Sequence, residues 1–241
     1  MPYWKMNMAS GATTCPIMAL SDVYNGALEY NYLSEITKDD QFKERKDKIR
    51  KLLKEREKPR GVYMRRVNVE TGQFWGTQAQ LFRDTKDFYF TLVKEVYQSN
   101  FEDSEAYDMY LEAMDNVLKP SSSVLCTSRT GLNYVQGYDP TTKKDEKSME
   151  YEACYLGGMW SMAVHMMERM SKLNCEDQDQ FWDNMDRINL QSQLAKNIAA
   201  TTMKAHSATQ TKLAPRKFCF NATMDATNGY WGPYDKQFHL R

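Results

Sequence analysis

The chain has 241 residues, with 32 Lys or Arg against 32 Asp or Glu, so its formal net charge is zero. This length supports a sizeable core, and 41% hydrophobic with 27% charged residues excludes a disordered or membrane-embedded chain. The balanced charge argues against a nucleic-acid partner, and no apolar run predicts a transmembrane segment or a secretory signal.

Helical periodicity predicts pairs of helices along the chain. The first helix spans Ala19–Thr37, and the second begins at Asp39 and ends before Pro59. The apolar stripe predicted for the second helix, with charges elsewhere, consists of Phe42, Ile49, Leu52 and Leu53. A short hairpin around Glu70–Gly72 follows it.

The pattern then repeats in kind. The later predicted helices form two more pairs, Leu81–Gln98 with Asp103–Leu118 and Met149–Met170 with Asp177–His206. A short strand is predicted at Leu132–Val135, and the tail from Leu213 is predicted to be irregular with short strands. Three helix pairs joined by strand-bearing loops indicate a mainly α fold, either an α/α toroid or a helical array. An arc of three pairs exposes apolar side faces, so we interpret the chain as part of a domain.

Carboxylates are the candidate chemical groups, since no phosphate loop, nucleophile elbow or HExxH motif is present. The three His lack metal-ligand spacing, and the five Cys are an odd number without a CxxC motif. Glu29 lies on an otherwise apolar helix face, and Asp22 precedes it by two helical turns on the same side. Asp84 and Asp87 lie at the start of the helix predicted over Leu81–Gln98. They are candidate chemical groups, and the alternative interpretation is that they cap the N-terminus of that helix.

Several segments, in order, resemble glycoside hydrolase family 47, the class I α-1,2-mannosidases. ALSDVYNGALEYNYLSEITKDDQF resembles that family's "LEF-x-x-LS-x-x-TGD-x-x-F", and GVYMRRVNVETGQF resembles its "GLYPNYxNPxTGQF". TGLNYVQGY with MEYEACYLGGMW resembles "GLTYxxEW … MxHLxCFxGGM", and TQTKLAPRKFCFN resembles "TxTGLxPExFxFN". The likeness runs over residues 19–241.

The resemblance implies a partial seven-hairpin α/α barrel over residues 19–241, with short β strands in the connecting loops. Residues 1–18 are then an N-terminal extension, which we expect to be poorly ordered. The family implies a bound Ca²⁺, a high-mannose N-glycan or glycoprotein as partner, and a place in the endoplasmic reticulum or Golgi. We expect no nucleic acid and no membrane span in this chain.

The resemblance also carries individual residues over, with departures from the family pattern. Glu29 matches a pocket Glu, and is therefore expected to bind substrate. The family's catalytic Asp falls on Lys86 without a gap, and on Asp87 with a one-residue shift. Three positions depart from the family pattern. Phe90 stands in place of a Glu, Tyr151 in place of a His, and Arg216 in place of a Glu.

The resemblance also implies a disulfide at Cys154, whose partner position carries Thr202. Cys175 is a possible substitute for that partner. Separately, Asn221-Ala222-Thr223 is a sequon for N-glycosylation.

By this resemblance the chain begins after the family's acid-bearing segment and ends before its base-bearing and Ca²⁺-binding segments. We therefore expect it to be inactive as a hydrolase. One alternative is a non-catalytic glycan-binding or quality-control protein, and another is a decayed fragment without independent function. Four aromatic residues are candidates either for stacking on sugar rings or for core packing: Tyr63, Trp75, Tyr89 and Tyr134.

Overall fold

The computed structural model describes residues 7–13, 15–128, 131–146, 148–174, 178–219 and 238–239. Contacts divide the chain into two compact units. The first comprises Met1–Asn116 with Asp139–Lys143, and the second comprises Val117–Tyr138 with Lys144–Arg241. Residues 19–241, predicted as one domain, thus fall in both units.

The first unit combines a small antiparallel sheet with paired helices. In chain order its elements are β1 (Ile17–Ala19), α1 (Leu20–Tyr24), α2 (Ala27–Thr37), α3 (Gln41–Lys54), β2 (Met64–Asn68), β3 (Phe74–Ala79), α4 (Lys86–Gln98) and α5 (Ser104–Leu118), the last of which runs two residues past the unit boundary. The predicted hairpin is confirmed, because β2 pairs with β3 on either side of the turn. Strand β1 pairs antiparallel with β2, so Ile17 and Met18 of the predicted extension belong to the sheet.

The first predicted helix is wrong in one respect, because it is broken into α1 and α2. Asn25 and Gly26 separate the two, and Gly26 is the N-cap of α2. Glycine is the weakest helix former after proline and is well suited to such a junction. Helix α2 exposes Tyr32 and Ile36, each at 58%, and so carries the kind of apolar side face that the sequence predicts.

Aromatic rings form much of the core between the sheet and α4. The rings of Tyr63 and Phe88 lie 4.7 Å apart, and those of Tyr24 and Phe88 lie 5.4 Å apart, with tilted or edge-on geometry. The hydroxyl of Tyr89 accepts a hydrogen bond from the backbone N–H of Tyr63 at 2.9 Å. This bond satisfies the phenol inside the core and fixes α4 against the chain that enters β2.

The second unit is built on a long antiparallel pair of helices with short strands beside it. Its elements are β4 (Leu125–Thr127), β5 (Asn133–Val135), β6 (Gly137–Asp139), β7 (Lys144–Glu146), β8 (Ser148–Glu150), α6 (Leu156–Asn174), α7 (Gln178–Ser207), β9 (Lys217–Cys219) and β10 (Phe238–His239); Asp139, the last residue of β6, falls in the first unit. Strand β5 confirms the predicted strand, whereas α6 begins later than predicted, after β8 and a short 3₁₀ turn.

Methionines and small residues pack α6 against α7. Met159, Met166 and Met167 are buried, as is Ile198 of α7. A Cβ added at Gly157 would lie 3.3 Å from the backbone oxygen of Ala195, so this glycine permits the close approach. Within the described residues, no helix is both long and apolar enough to cross a bilayer.

Candidate functional site

Three aspartates lie near one another around α1 and the start of α4. Asp22 belongs to α1, Asp84 to the 3₁₀ turn that precedes α4, and Asp87 to the first turn of α4. Burial raises the pKa of the Asp22 carboxyl above its ordinary value, and the negative charges of Asp84 and Asp87 raise it further. We call these three residues the carboxylate cluster.

Two cations accompany the carboxylate cluster. Arg65 of β2 donates to Asp84 Oδ2 from Nη2 at 2.7 Å and from Nε at 3.1 Å, and it also donates to the amide oxygen of Gln78. Lys86 donates from Nζ to the two oxygens of Asp87 at 2.9 and 2.8 Å. Among the residues that the structure describes, Asp22 has no ion pair, so this carboxyl carries the surplus charge of the cluster.

The interpretation of Asp84 and Asp87 as helix caps is wrong. The N-cap of α4 is Thr85, and no side chain caps the helix there. The Thr85 hydroxyl instead donates to the carbonyls of Gln80 at 2.7 Å and Phe82 at 2.9 Å, which holds the turn before α4. Both carboxylates are therefore paired with side-chain cations, Asp84 with Arg65 and Asp87 with Lys86, rather than with the backbone.

Glu29 does not share a helix with Asp22, because the chain breaks at Gly26. The prediction that the two acids lie on one side of one helix is therefore wrong. Glu29 is exposed in the first turn of α2, and no hydrogen bond or ion pair of its side chain occurs within the described ranges. The structure brings Asp87 to Asp22 and Asp84, whereas the role expected for Glu29 stays a prediction.

The position that the resemblance assigns to a family Glu carries an aromatic ring. Phe90 is half-buried on α4, and the ammonium of Lys94 lies 4.4 Å from its ring centroid. This cation–π contact occupies the surface next to the ring with positive charge. The position that the resemblance gives to a carboxylate thus carries a cation–π contact.

Two other departures meet in the second unit. The backbone N–H of Tyr151 donates to the carbonyl of Arg216 at 2.8 Å. The Tyr151 ring also lies edge-on to His206, with centroids 5.7 Å apart. The two positions that the resemblance assigns to a family His and Glu are therefore adjacent, and they carry Tyr and Arg.

The predicted disulfide position holds a free thiol. Cys154 has no disulfide partner in the described chain. Burial raises the pKa of its thiol above the ordinary value, and the Thr202 hydroxyl lies within hydrogen-bond reach of the sulfur. That hydroxyl donates to the carbonyl of Ile198 at 2.8 Å. Cys175 and the Asn221 sequon lie outside the described residues.

Three of the four aromatic candidates pack in the cores. Tyr63 and Tyr89 have no exposed surface, and Tyr134 is 7% exposed. Trp75 is different, since it is 50% exposed on β3. Of the four, it alone presents a broad aromatic surface to solvent.

A second group of charges, which the sequence analysis missed, surrounds Glu95 on α4. Glu95 has no exposed surface. Its Oε1 accepts from Lys46 Nζ at 2.9 Å, and its Oε2 accepts from the Tyr24 hydroxyl at 2.8 Å. Lys46 is 1% exposed, so both members of this ion pair lie inside the unit. Such a pair is tolerated only where hydrogen bonds and opposite charges offset the desolvation cost.

Arg50 extends this group to α5. Its Nη1 lies 3.6 Å from Glu95 Oε2 and donates to Asp103 Oδ2 at 2.6 Å. Asp103 Oδ1 accepts from the backbone N–H of Ala106 at 3.0 Å and so caps α5. Burial acts to raise the pKa of Asp103, but the hydrogen bonds from Arg50 and Ala106 outweigh it and lower the pKa. We call Tyr24, Lys46, Arg50, Glu95 and Asp103 the Glu95 network.

The residues that the structure describes do not fit the calcium site that the family resemblance implies. In the part of the chain that the structure describes, no three Asp, Glu, His or Cys side chains converge as metal ligands. Ca²⁺ takes six to eight oxygen ligands as a rule. The carboxylate cluster, with Arg65 and Lys86 beside it, is a mixed-charge site and not a cation site.

Comparison with known proteins places these features in a family. The model of glycosyl hydrolase family 47 matches residues 1–241. A mannosyl-oligosaccharide 1,2-α-mannosidase of Caenorhabditis elegans is 28% identical over 88% of this chain and 33% of its own length. A mannosyl-oligosaccharide α-1,2-mannosidase of Drosophila melanogaster is 30% identical over 83% of this chain and 27% of its own length.

A solved structure supports the same fold. The α-1,2-mannosidase from Trichoderma reesei superposes with a TM-score of 0.67 at 16% identity, covering 88% of this chain and 39% of that one. The prediction of a mainly α, mannosidase-like fold is thereby confirmed. The chain spans about a third of the length of the relatives that it matches. With the family model matched from end to end, the chain belongs to glycosyl hydrolase family 47.

Proposed function

We propose that this chain binds high-mannose N-glycans through the carboxylate cluster and does not hydrolyse them. The observation that carries the proposal is the surplus negative charge around Asp22, which has two acidic neighbours and a raised pKa. Carboxylate oxygens are strong acceptors for hydroxyl donors, and a sugar presents several hydroxyls at once. The relatives named above are mannosyl-oligosaccharide mannosidases, which supports mannose as the sugar.

The lack of hydrolysis follows from the side chains at the positions that should react. Hydrolysis of a glycoside generally needs two carboxyl groups that flank the scissile bond, one as the acid and one as the base or nucleophile. Lys86 stands in the ungapped position of the catalytic Asp, and its ammonium contacts both oxygens of Asp87. The ammonium takes one lone pair of each oxygen, so we propose that Asp87, the residue that we predicted as catalytic, uses its remaining lone pairs to accept hydrogen bonds from sugar and does not act as a base. Phe90 removes a further carboxylate from α4.

We assign no reaction step to Ca²⁺, since the described residues lack a ligand set for it. We further propose that the chain works in the endoplasmic reticulum or Golgi, where high-mannose N-glycans are its partners. The sequon at Asn221 supports this placement. Treatment with a glycosidase that removes N-glycans is expected to increase the mobility of the cell-derived chain on a gel, and an unchanged mobility in the Asn221→Gln variant is the matched control.

The test of function measures binding and turnover on the same samples. Titration calorimetry with a high-mannose oligosaccharide is expected to show binding, and no mannose is expected to be released with or without Ca²⁺. The Asp22→Ala variant is expected to bind about tenfold more weakly, as for the loss of one charge-assisted hydrogen bond. Glu57→Gln, which changes an exposed carboxylate beyond α3, serves as the control.

Each contrary outcome has a defined meaning. Release of mannose by the purified chain contradicts the non-hydrolytic part of the proposal. A chain that unfolds cooperatively but does not bind at millimolar sugar is not a glycan-binding protein. A broad, non-cooperative loss of helix on heating, together with no binding, favours the decayed fragment.

A further inference from the structure

The hairpin of β2 and β3 carries an exposed aromatic surface away from the carboxylate cluster. Trp75 and Arg66 are directly opposite each other on the two strands, and both are exposed. The guanidinium carbon of Arg66 lies 5.9 Å from the centroid of the indole ring. By contrast, Phe74 turns towards the core, with its ring 6.1 Å from that of Tyr63. Trp75 thus lies on the solvent side of the hairpin.

Neighbouring residues on β3 leave the indole accessible. A Cβ added at Gly76 would meet no atom within 4 Å, so this position is open space. Thr77, two residues further along β3, is also exposed. Three consecutive residues of β3, from Trp75 to Thr77, are therefore exposed.

Polar groups stand beside the ring. The side chain of Thr77 is hydrogen-bonded to the carboxylate of Asp139, which belongs to the same unit. Asp139 also accepts backbone N–H bonds from Thr141 at 2.8 Å and Thr142 at 3.1 Å, so its position is fixed by the turn. Arg66 supplies hydrogen-bond donors on the other strand. An aromatic face is therefore bordered by both donors and acceptors.

We propose that Trp75, with Arg66, Thr77 and Asp139, forms a second sugar-binding surface that stacks on a pyranose ring. Arg66 lies over one face of the indole, and the opposite face carries negative charge density, which attracts the C–H groups on one face of a pyranose. The hydroxyls at the edge of the sugar then meet Thr77, Asp139 and Arg66. This inference rests on the proposed function, because it takes the glycan as the ligand.

A protein partner fits this surface less well. Among the described residues of the hairpin, Trp75 is the one large apolar side chain that is exposed. A single ring bordered by charged and polar groups is smaller than the apolar patches that mark protein interfaces.

The stacking surface and the carboxylate cluster use different residues of β2. Arg65 contacts Asp84 of the cluster, whereas the adjacent Arg66 contacts Trp75.

The test compares four proteins by calorimetry with a high-mannose oligosaccharide: the natural chain and its Trp75→Ala, Trp75→Phe and Asp22→Ala variants. Trp75→Ala is expected to weaken binding about tenfold, the value of one aromatic stack. Trp75→Phe keeps an aromatic ring, so its affinity for the oligosaccharide is expected to fall by less than about threefold. Sugar is also expected to change the tryptophan fluorescence of the natural chain, and this change is expected to vanish in Trp75→Ala.

The outcomes separate the two proposals. Weaker binding by Trp75→Ala with no loss in Asp22→Ala supports the stacking surface and contradicts the carboxylate cluster. Equal affinity of Trp75→Ala and the natural chain overturns the stacking surface, even where Asp22→Ala binds weakly. A self-association that Trp75→Ala abolishes, with unchanged sugar affinity, also overturns it, because Trp75 then contacts a second copy. Absence of binding by the natural chain overturns both proposals.

Discussion

The Glu95 network and the carboxylate cluster place aspartates in opposite electrostatic surroundings within the first unit. Burial acts to raise the pKa of Asp103, but hydrogen bonds from Arg50 and Ala106 lower it below its ordinary value. Burial also raises the pKa of Asp22, and there the charges of Asp84 and Asp87 act in the same direction. Two residues of the same type thus differ because one faces cations and the other faces carboxylates.

This difference separates two uses of charge. In the Glu95 network the acceptors are occupied by Lys46, Arg50 and Tyr24, so little hydrogen-bonding capacity remains for a ligand. In the carboxylate cluster the acids outnumber the cations that contact them, which costs folding stability but leaves acceptors for donor groups of a ligand. A site that sacrifices stability for binding is a common pattern in proteins.

The largest expected effect comes from breaking the buried pair of the Glu95 network. Lys46→Met leaves Glu95 without its ammonium partner inside the unit, and we expect a loss of about 3–5 kcal/mol in the free energy of unfolding. Urea denaturation measures this loss. Lys48→Met is the matched control on the same helix, since Lys48 is 76% exposed and lies 3.6 Å from Glu44.

The control is expected to change stability by less than about 0.5 kcal/mol, as exposed pairs do. If Lys46→Met costs no more than Lys48→Met, the network is not structural and the comparison fails. The double variant Lys46→Met with Glu95→Leu is expected to recover part of the loss, because it removes both buried charges together.

A smaller effect is expected from the aspartate that joins the network to α5. Asp103→Asn keeps a side-chain oxygen for the helix cap but loses the charge that faces Arg50, so we expect a loss of about 1–2 kcal/mol at pH 7. Because the pKa of Asp103 is lowered in the folded state, its carboxylate contributes to the free energy of unfolding above about pH 4. This contribution is lost as the pH falls through the pKa that Asp103 has in the folded state.

Thermal unfolding from pH 7 down to acid pH measures this dependence. The difference between Asp103→Asn and the natural chain is expected to shrink as the pH falls. A difference that stays constant with pH would show that the cap, and not the charge of Asp103, provides the stability.

Local patterns predicted most of the elements, and contacts between distant residues account for what they missed. Apolar periodicity was sufficient to locate α3 and α5 along the chain, and turn residues were sufficient to locate the β2–β3 hairpin. The break between α1 and α2 had a signal in Gly26, which the longer apolar pattern obscured. Lys46, Arg50 and Leu53 are all buried at spacings of four and three residues, so the buried face of α3 is partly charged.

The apolar stripe predicted for α3 was therefore mostly the wrong face. Phe42, Ile49 and Leu52 are only half-buried, whereas Leu53 is fully buried. Helical periodicity shows which apolar residues share a face of a helix. It cannot show that Lys46 forms an ion pair with Glu95, which is 49 residues away in sequence. The carboxylate cluster was partly predictable, because Asp22, Asp84 and Asp87 were all candidates, but the electrostatic interaction among them depends on the packing of α1 beside α4.

The smallest expected effect has the opposite sign and comes from the carboxylate cluster. Because the pKa of Asp22 is raised in the folded state, its charged form is disfavoured there. The free energy of unfolding is therefore higher below about pH 4, and it decreases as the pH rises through the pKa that Asp22 has in the folded state. Asp22→Asn removes that loss and is expected to stabilise the chain at pH 7 by at most about 0.5 kcal/mol, and not at pH 3. Thermal unfolding at the two pH values measures it, with Glu57→Gln as the exposed control. If Asp22→Asn lowers the melting temperature at pH 7, attraction and not repulsion dominates at Asp22, and the cluster resembles the Glu95 network instead of a ligand site.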